Sequence, residues 1–374
     1  MAATLSPKPS GHHFSISNII PRFRSRKKSI PKQNMQTETQ AEPQIILQDT
    51  RSPLIAAPLP LVLPEHQQTL STLGWTTVTF PSSQEFQAPA LPSHPLQTAY
   101  KDLFAASQAF FALPDSEKQQ WKHKLGSEEG WSKIPGEKEF IALRTLEYCP
   151  EVLRGPATIY WHLVGAHCAK TLGRVSASIG LPDEALTRFV GPCGSMPDSD
   201  ADKTATMLRL FRYEGWDAKV VAEPHGDLGL LSVVVGNVPG LEVWDAYDWF
   251  PVEKVVEEAG RKGATLLVGR QLERLSNGRY PAGGHRVVAY GSASDPASVP
   301  GERQFRYSIV FVLRAHEPVV IDSDSLETEV TGKWGYPLHG ITAGQLYKQI
   351  NGMHFNINIG VEEREKQRRK LTSG

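Results

Sequence analysis

The chain has 374 residues, of which 40% are hydrophobic and 9% aromatic, enough apolar material for a sizeable core. Its 40 basic and 40 acidic side chains sum to a formal charge of zero, which argues against a polyanion such as nucleic acid as partner. Cys149, Cys168 and Cys193 are odd in number and lack a CxxC pair, which excludes a disulfide scaffold, and no apolar run approaches the ~20 residues of a membrane-spanning helix.

Residues 1–45 are rich in Ser, Pro and Gln, with Arg22, Arg24, Arg26, Lys27, Lys28 and Lys32 and no acid before Glu38. Such a tail is expected to be disordered, and its basic cluster also fits a mitochondrial or nuclear signal; otherwise a cytoplasmic protein is expected. Residues 46–200 read as a mixed α/β region. It opens with a short helix over 65–73 ended by Gly74, then a strand over 75–80. Apolar residues at helical spacing (Leu96, Tyr100, Leu103, Phe104, Phe110, Phe111) predict a helix over 94–113. A strand over 137–144 and a second long helix over 158–181 follow. From 201 to 322 short β-rich runs at 204–213, 230–235, 241–244, 265–268, 285–290, 305–313 and 318–321 are separated by Gly, Pro and Asn. The fold class is therefore mainly β with flanking helices: a double-stranded β-helix (jelly roll) preceded by a mixed region. Residues 323–374 supply a lid helix over 343–352 and a charged, solvated end over 362–370.

His225-Gly226-Asp227 is the only His-x-Asp in the chain. In extended backbone, residues i and i+2 project from one face, so the imidazole and the carboxylate can reach one point. A histidine and a carboxylate are two thirds of the facial triad that holds non-haem ferrous iron. His285, opening an apolar run after Gly283-Gly284, is the expected third ligand. Downstream, Arg306-Tyr307-Ser308 sets a guanidinium and a hydroxyl on one strand face, where they can grip one carboxylate.

His-x-Asp, a distant His and then Arg-x-Ser, in this order, resemble the signature of the isopenicillin N synthase-like family of iron(II)- and 2-oxoglutarate-dependent dioxygenases. The resemblance runs from about residue 64 to 360 and includes Phe110-Phe111-Ala112-Leu113-Pro114, Gly240-Leu241-Glu242-Val243 and Leu275-Ser276-Asn277-Gly278. The end Phe355-Asn356-Ile357-Asn358 is most similar to microbial, especially fungal, members. The resemblance implies Fe(II) on His225, Asp227 and His285, 2-oxoglutarate on Arg306 and Ser308 with Tyr213, and O2 as oxidant. Where plant-type members have Asn and Pro around that tyrosine, this chain has Phe211 and Glu214. The implied activity is hydroxylation, desaturation or ring closure of a small-molecule substrate of secondary metabolism. An iron oxidase without 2-oxoglutarate and a non-catalytic ligand-binding barrel remain as alternatives. The substrate is expected to be largely apolar, walled by Phe140, Phe211 and Phe355, with Arg144 or Arg209 orienting any acidic group. No nucleic acid, membrane or second subunit is expected.

Overall fold

A computed structural model describes residues 49–80, 93–123, 127–214, 219–290, 305–354 and 356–373. The basic tail and Phe355 lie outside the described residues. In chain order the first elements are α1 (Thr69–Leu73), β1 (Trp75–Thr79), α2 (Pro95–Ala112), α3 (Asp115–Lys118), β2 (Gly130–Ile134), β3 (Lys138–Leu143), α4 (Glu151–Ser178) and α5 (Glu184–Thr187). Next come β4 (Met207–Tyr213), β5 (Lys219–His225), β6 (Leu231–Gly236), β7 (Leu241–Trp244), β8 (Trp249–Phe250), α6 (Val252–Glu258) and β9 (Gly263–Val268). The chain then forms α7 (Arg270–Leu275), β10 (His285–Ala289), β11 (Arg306–Leu313), β12 (Val320–Asp322), β13 (His339–Thr342), α8 (Ala343–Gly352) and α9 (Val361–Ser373).

A seven-stranded sheet has the order β1-β9-β6-β11-β4-β3-β2, and a four-stranded sheet has the order β5-β10-β7-β8. Their ladders are antiparallel. The larger sheet is apolar on both faces because its strands alternate between two buried environments. Ile309, Phe311 and Leu313 of β11 and Leu208 and Leu210 of β4 join the core under α2 and α4. There Trp161 of α4 meets Phe311 edge to face, with ring centres 5.4 Å apart. The opposite face, through Phe211, Tyr213 and Val234, packs against Val221, Ala222, Leu241, Val243 and Val287 of the smaller sheet. This two-sheet arrangement is a jelly roll, as expected.

Several elements depart from the sequence reading. The long helix starts at Glu151 rather than 158 and continues through Gly155 and Pro156, although Pro156, inside its second turn, has no N–H to give the Val152 carbonyl. β5, α6 and β13, which His339 opens, were not expected. The end over 362–370 is charged and largely exposed, as expected, but it is not an unstructured tail. It is α9, with Arg364 buried and forked onto Glu137 at 2.8 and 3.0 Å. Among the described residues, no helix is long and apolar enough to cross a membrane, and all three cysteines are free and buried.

Candidate functional site

β5 and β10 pair with His225 directly opposite His285, so the two imidazoles lie 4.1 Å apart between ring centres. Asp227 follows β5 just beyond Gly226, outside the strand itself. The loop that carries it is anchored by the backbone of α7: the Arg270 N–H donates to the Asp227 carbonyl at 2.8 Å. Gly269 permits this approach, since a Cβ there would stand 2.1 Å from the Gly229 carbonyl oxygen. That contact accounts for Gly269, while the bond from Arg270 uses only its backbone.

Asp227 Oδ1 is 3.9 Å from His225 Nε2, and Oδ2 is 3.9 Å from His285 Nε2. Each histidine spends its other nitrogen on a backbone carbonyl, Nδ1 of His225 on Glu223 at 2.8 Å and Nδ1 of His285 on Gly283 at 3.1 Å. A carbonyl only accepts, so Nδ1 carries the proton and Nε2 keeps a free lone pair. Burial and the neighbouring His285 push the His225 imidazole well below its ordinary pKa, keeping it neutral. Burial would raise the Asp227 carboxyl, but His285 and His225, with Arg209 adding to them, outweigh that and leave it below its ordinary value. Asp227 Oδ2 is buried with no hydrogen-bond partner among the described residues. The donor atoms of all three side chains lie within 4.8 Å of one another. Two imidazole Nε2 atoms and a carboxylate that converge in this way fit a divalent transition metal such as iron.

The triad opens into a cavity of about 870 Å³ between the two sheets. Arg306 and Ser308 lie on the inward face of β11, and Tyr213 sits opposite Arg306 on β4. The Arg306 guanidinium lies over the Tyr213 ring, 5.4 Å from its centre. Its Nη2 is engaged by both Glu253 oxygens at 3.1 and 2.9 Å and its Nε donates to the Val238 carbonyl at 3.2 Å. Nη1 of Arg306 and Oγ of Ser308 are buried without a partner among the described residues. No sequence signal points to Glu253, which reaches the fork from α6.

Of the expected substrate residues, Arg209 and Phe211 line the cavity. Arg144 does not, because its guanidinium caps the carbonyls of Thr204 and Ser127. Phe140 stands behind Phe211, ring centres 5.5 Å apart. Two further residues at the same end, Arg314 and Glu128, were missed.

No protein-family model matches the chain. Leucoanthocyanidin dioxygenase 1 of Oryza sativa subsp. indica is 31% identical over 214 residues, 49% of this chain and 54% of the relative. The 2-oxoglutarate-dependent dioxygenase ecdK of Aspergillus rugulosus is 29% identical over 168 residues, 42% of this chain and 46% of the relative. The chain thus spans about half the length of these curated relatives. Among solved structures, a 2OG-Fe(II) oxygenase family protein of Caulobacter crescentus superposes with a TM-score of 0.53 at 20% identity, over 75% of this chain and 90% of that one. The chain is a relative of the iron(II)- and 2-oxoglutarate-dependent dioxygenases. In this chain His225, Asp227 and His285 meet beside the cavity wall to which β11 contributes Ser308, Val310 and Val312.

Proposed function

We propose that the protein is an iron(II)- and 2-oxoglutarate-dependent dioxygenase that oxidises a small, largely apolar metabolite. The observation that carries this reading is the convergence of His225 Nε2, His285 Nε2 and the Asp227 carboxylate within 4.8 Å at the wall of the inter-sheet cavity. These residues would hold the iron. Iron so held supplies dioxygen activation, with 2-oxoglutarate oxidised to succinate and carbon dioxide while a substrate C–H bond is oxidised. Nη1 of Arg306 and Oγ of Ser308, both unpartnered, would donate to the distal carboxylate of 2-oxoglutarate, with Tyr213 beside them. Glu253 fixes the fork so that Nη1 faces that carboxylate. Phe211, Val234, Leu241 and Val310 hold the apolar part of the substrate and keep water from it. The carboxy-terminal segment from residue 323 acts as a lid.

The test is succinate release by the purified protein given ferrous iron, oxygen and 2-oxoglutarate. Activity is expected in the unaltered chain and a loss of both metal binding and turnover in His225→Ala. Oxygen consumption independent of 2-oxoglutarate would instead make it an oxidase, and metal-free retention of ligand binding a non-catalytic barrel.

A further inference from the structure

An arginine stands at each end of the inward face of β11, Arg306 opening the strand and Arg314 directly following its last residue, Leu313. Arg306 and Ser308 face the co-substrate end, and Val310, Val312 and Arg314 continue the same face. At about 3.3 Å per residue, Arg314 lies roughly 20 Å along the strand from Ser308. Arg209 of β4 stands opposite Val310 and lines the cavity beside it. Between the charged ends the walls are apolar, formed by Phe211, Val310, Val312 and Leu228.

Both guanidiniums turn to one internal carboxylate. Arg314 forks onto Glu128, Nη1 to Oε2 at 2.7 Å and Nη2 to Oε1 at 3.3 Å, and Arg209 Nη2 reaches Oε1 at 3.3 Å. Burial pushes the Glu128 carboxyl up, but Arg314, with Arg209 and Arg144 behind it, more than offsets that and holds it at about 2. Two guanidiniums therefore share one carboxylate, with the Arg144 charge nearby, since the adjacent Glu129 is already bound by Lys203 at 2.6 Å. The Nε atoms of Arg209 and Arg314 are buried without partners among the described residues. Glu128 itself sits at φ +52°, a left-handed conformation costly for a side chain of its kind, and its side chain is 38% exposed. It is the most exposed member of the cluster, against 16% for Arg209 and 6% for Arg314, and the one with a way out.

We infer that the substrate carries a carboxylate, which Arg314 and Arg209 receive in the place Glu128 now fills. This rests on the proposed dioxygenase function and adds the substrate class: a largely apolar acid, its charged end on Arg314 and Arg209, at the end of β11 where the Leu230 N–H donates to the Leu313 carbonyl at 2.8 Å and the Asp227 loop begins, and its apolar body against Val312 and Leu228 beside the triad. Glu128 then acts as an internal stand-in. It satisfies the buried guanidiniums when no acid is bound and swings toward solvent when one is, releasing its backbone strain.

The experiment uses the full chain loaded with cobalt(II) and 2-oxoglutarate, titrated calorimetrically with cinnamate and with its uncharged amide, cinnamamide. The unaltered chain should prefer the acid. Glu128→Gln should bind cinnamate about tenfold tighter or more, with cinnamamide unmoved, because the competing charge is gone. Arg314→Met should lose the preference for the acid. Equal cinnamate affinity in Glu128→Gln and the unaltered chain, or no preference for the acid in the unaltered chain, would overturn the inference even if the Arg314 variant fails to fold. The cobalt spectrum separates the two levels. If it responds to 2-oxoglutarate while Glu128→Gln leaves cinnamate binding unchanged, only the substrate class is wrong. If 2-oxoglutarate does not perturb it, the dioxygenase reading fails and takes this inference with it.

Discussion

Lys138 shows how far the cavity's residues are held from their ordinary chemistry. It sits on β3 with no exposed surface, its Nζ donating to the Ile357 carbonyl at 3.2 Å and lying 5.9 Å from the centre of the Phe211 ring. Burial, with Arg364 nearby, lowers its ammonium from 10.5 to about 8, only partly offset by Glu137. Below pH 8 the folded and unfolded chains both carry this charge, and the cost of burying it is felt in full. Between pH 8 and 10.5 the folded lysine is neutral while the unfolded one is still charged, so the unfolded state binds more protons and stability rises with pH. Lys138→Met should flatten that rise. Chemical unfolding at intervals from pH 7.5 to 10 would measure it, and identical slopes in the two proteins would mean that another group titrates.

At the scale of elements, α9 is the segment whose role depends most on charge. Arg364 forks onto Glu137 at the β2–β3 turn, and Arg364 and Arg368 both pair with Glu223, two residues before His225 on β5. Gln367 and Arg368 line the cavity. A helix clamped to the strand of a metal-ligand candidate closes the site only while its ion pairs hold. Removing residues 361–374 should therefore uncouple turnover, so that succinate exceeds oxidised product because water enters and the substrate is no longer held. Equal succinate and product in that truncation would remove α9 from the closure. Nothing in periodicity announces this helix, because its sequence has no apolar stripe and its contacts are ion pairs with residues far away in the chain. β10 and β11 were legible, since apolar alternation follows a Gly turn or an Arg-x-Ser triplet. β5 was not, because Glu223 and Pro224 break its apolar pattern just before His225. His225, Asp227 and His285 could be read from order and spacing. Arg314 could not: it lies just past the apolar run of β11, and its inward direction follows from the register that sets Val312 opposite Met207. Arg144 seemed equivalent to Arg209 until the fold brought the carbonyls of Thr204 and Ser127 to it.

Across the whole molecule, the two ends of the site belong to different sheets. His225 and His285 stand on the four-stranded sheet and Asp227 just beyond it, whereas Tyr213, Arg306 and Ser308 stand on the seven-stranded one. The sheets otherwise meet through a modest apolar layer that includes Phe140, Phe211, Val221, Leu241 and Val287. A metal alone can tie together only β5, β10 and the Asp227 loop. In the proposed function 2-oxoglutarate would bind the metal as well as Arg306 and Ser308, and so would join one sheet to the other. At a hundred times its dissociation constant it should add about 2.7 kcal/mol of stability. The distribution of that stability is the test. Amide exchange in β5 and β10 should slow when cobalt(II) is added, and exchange in β4 and β11 only when 2-oxoglutarate follows. Protection confined to β5 and β10 in the presence of both would mean that Arg306 and Ser308 do not hold the co-substrate. Their unpartnered donors would then be left to the carboxylate of another ligand, as in an oxidase that grips its substrate directly.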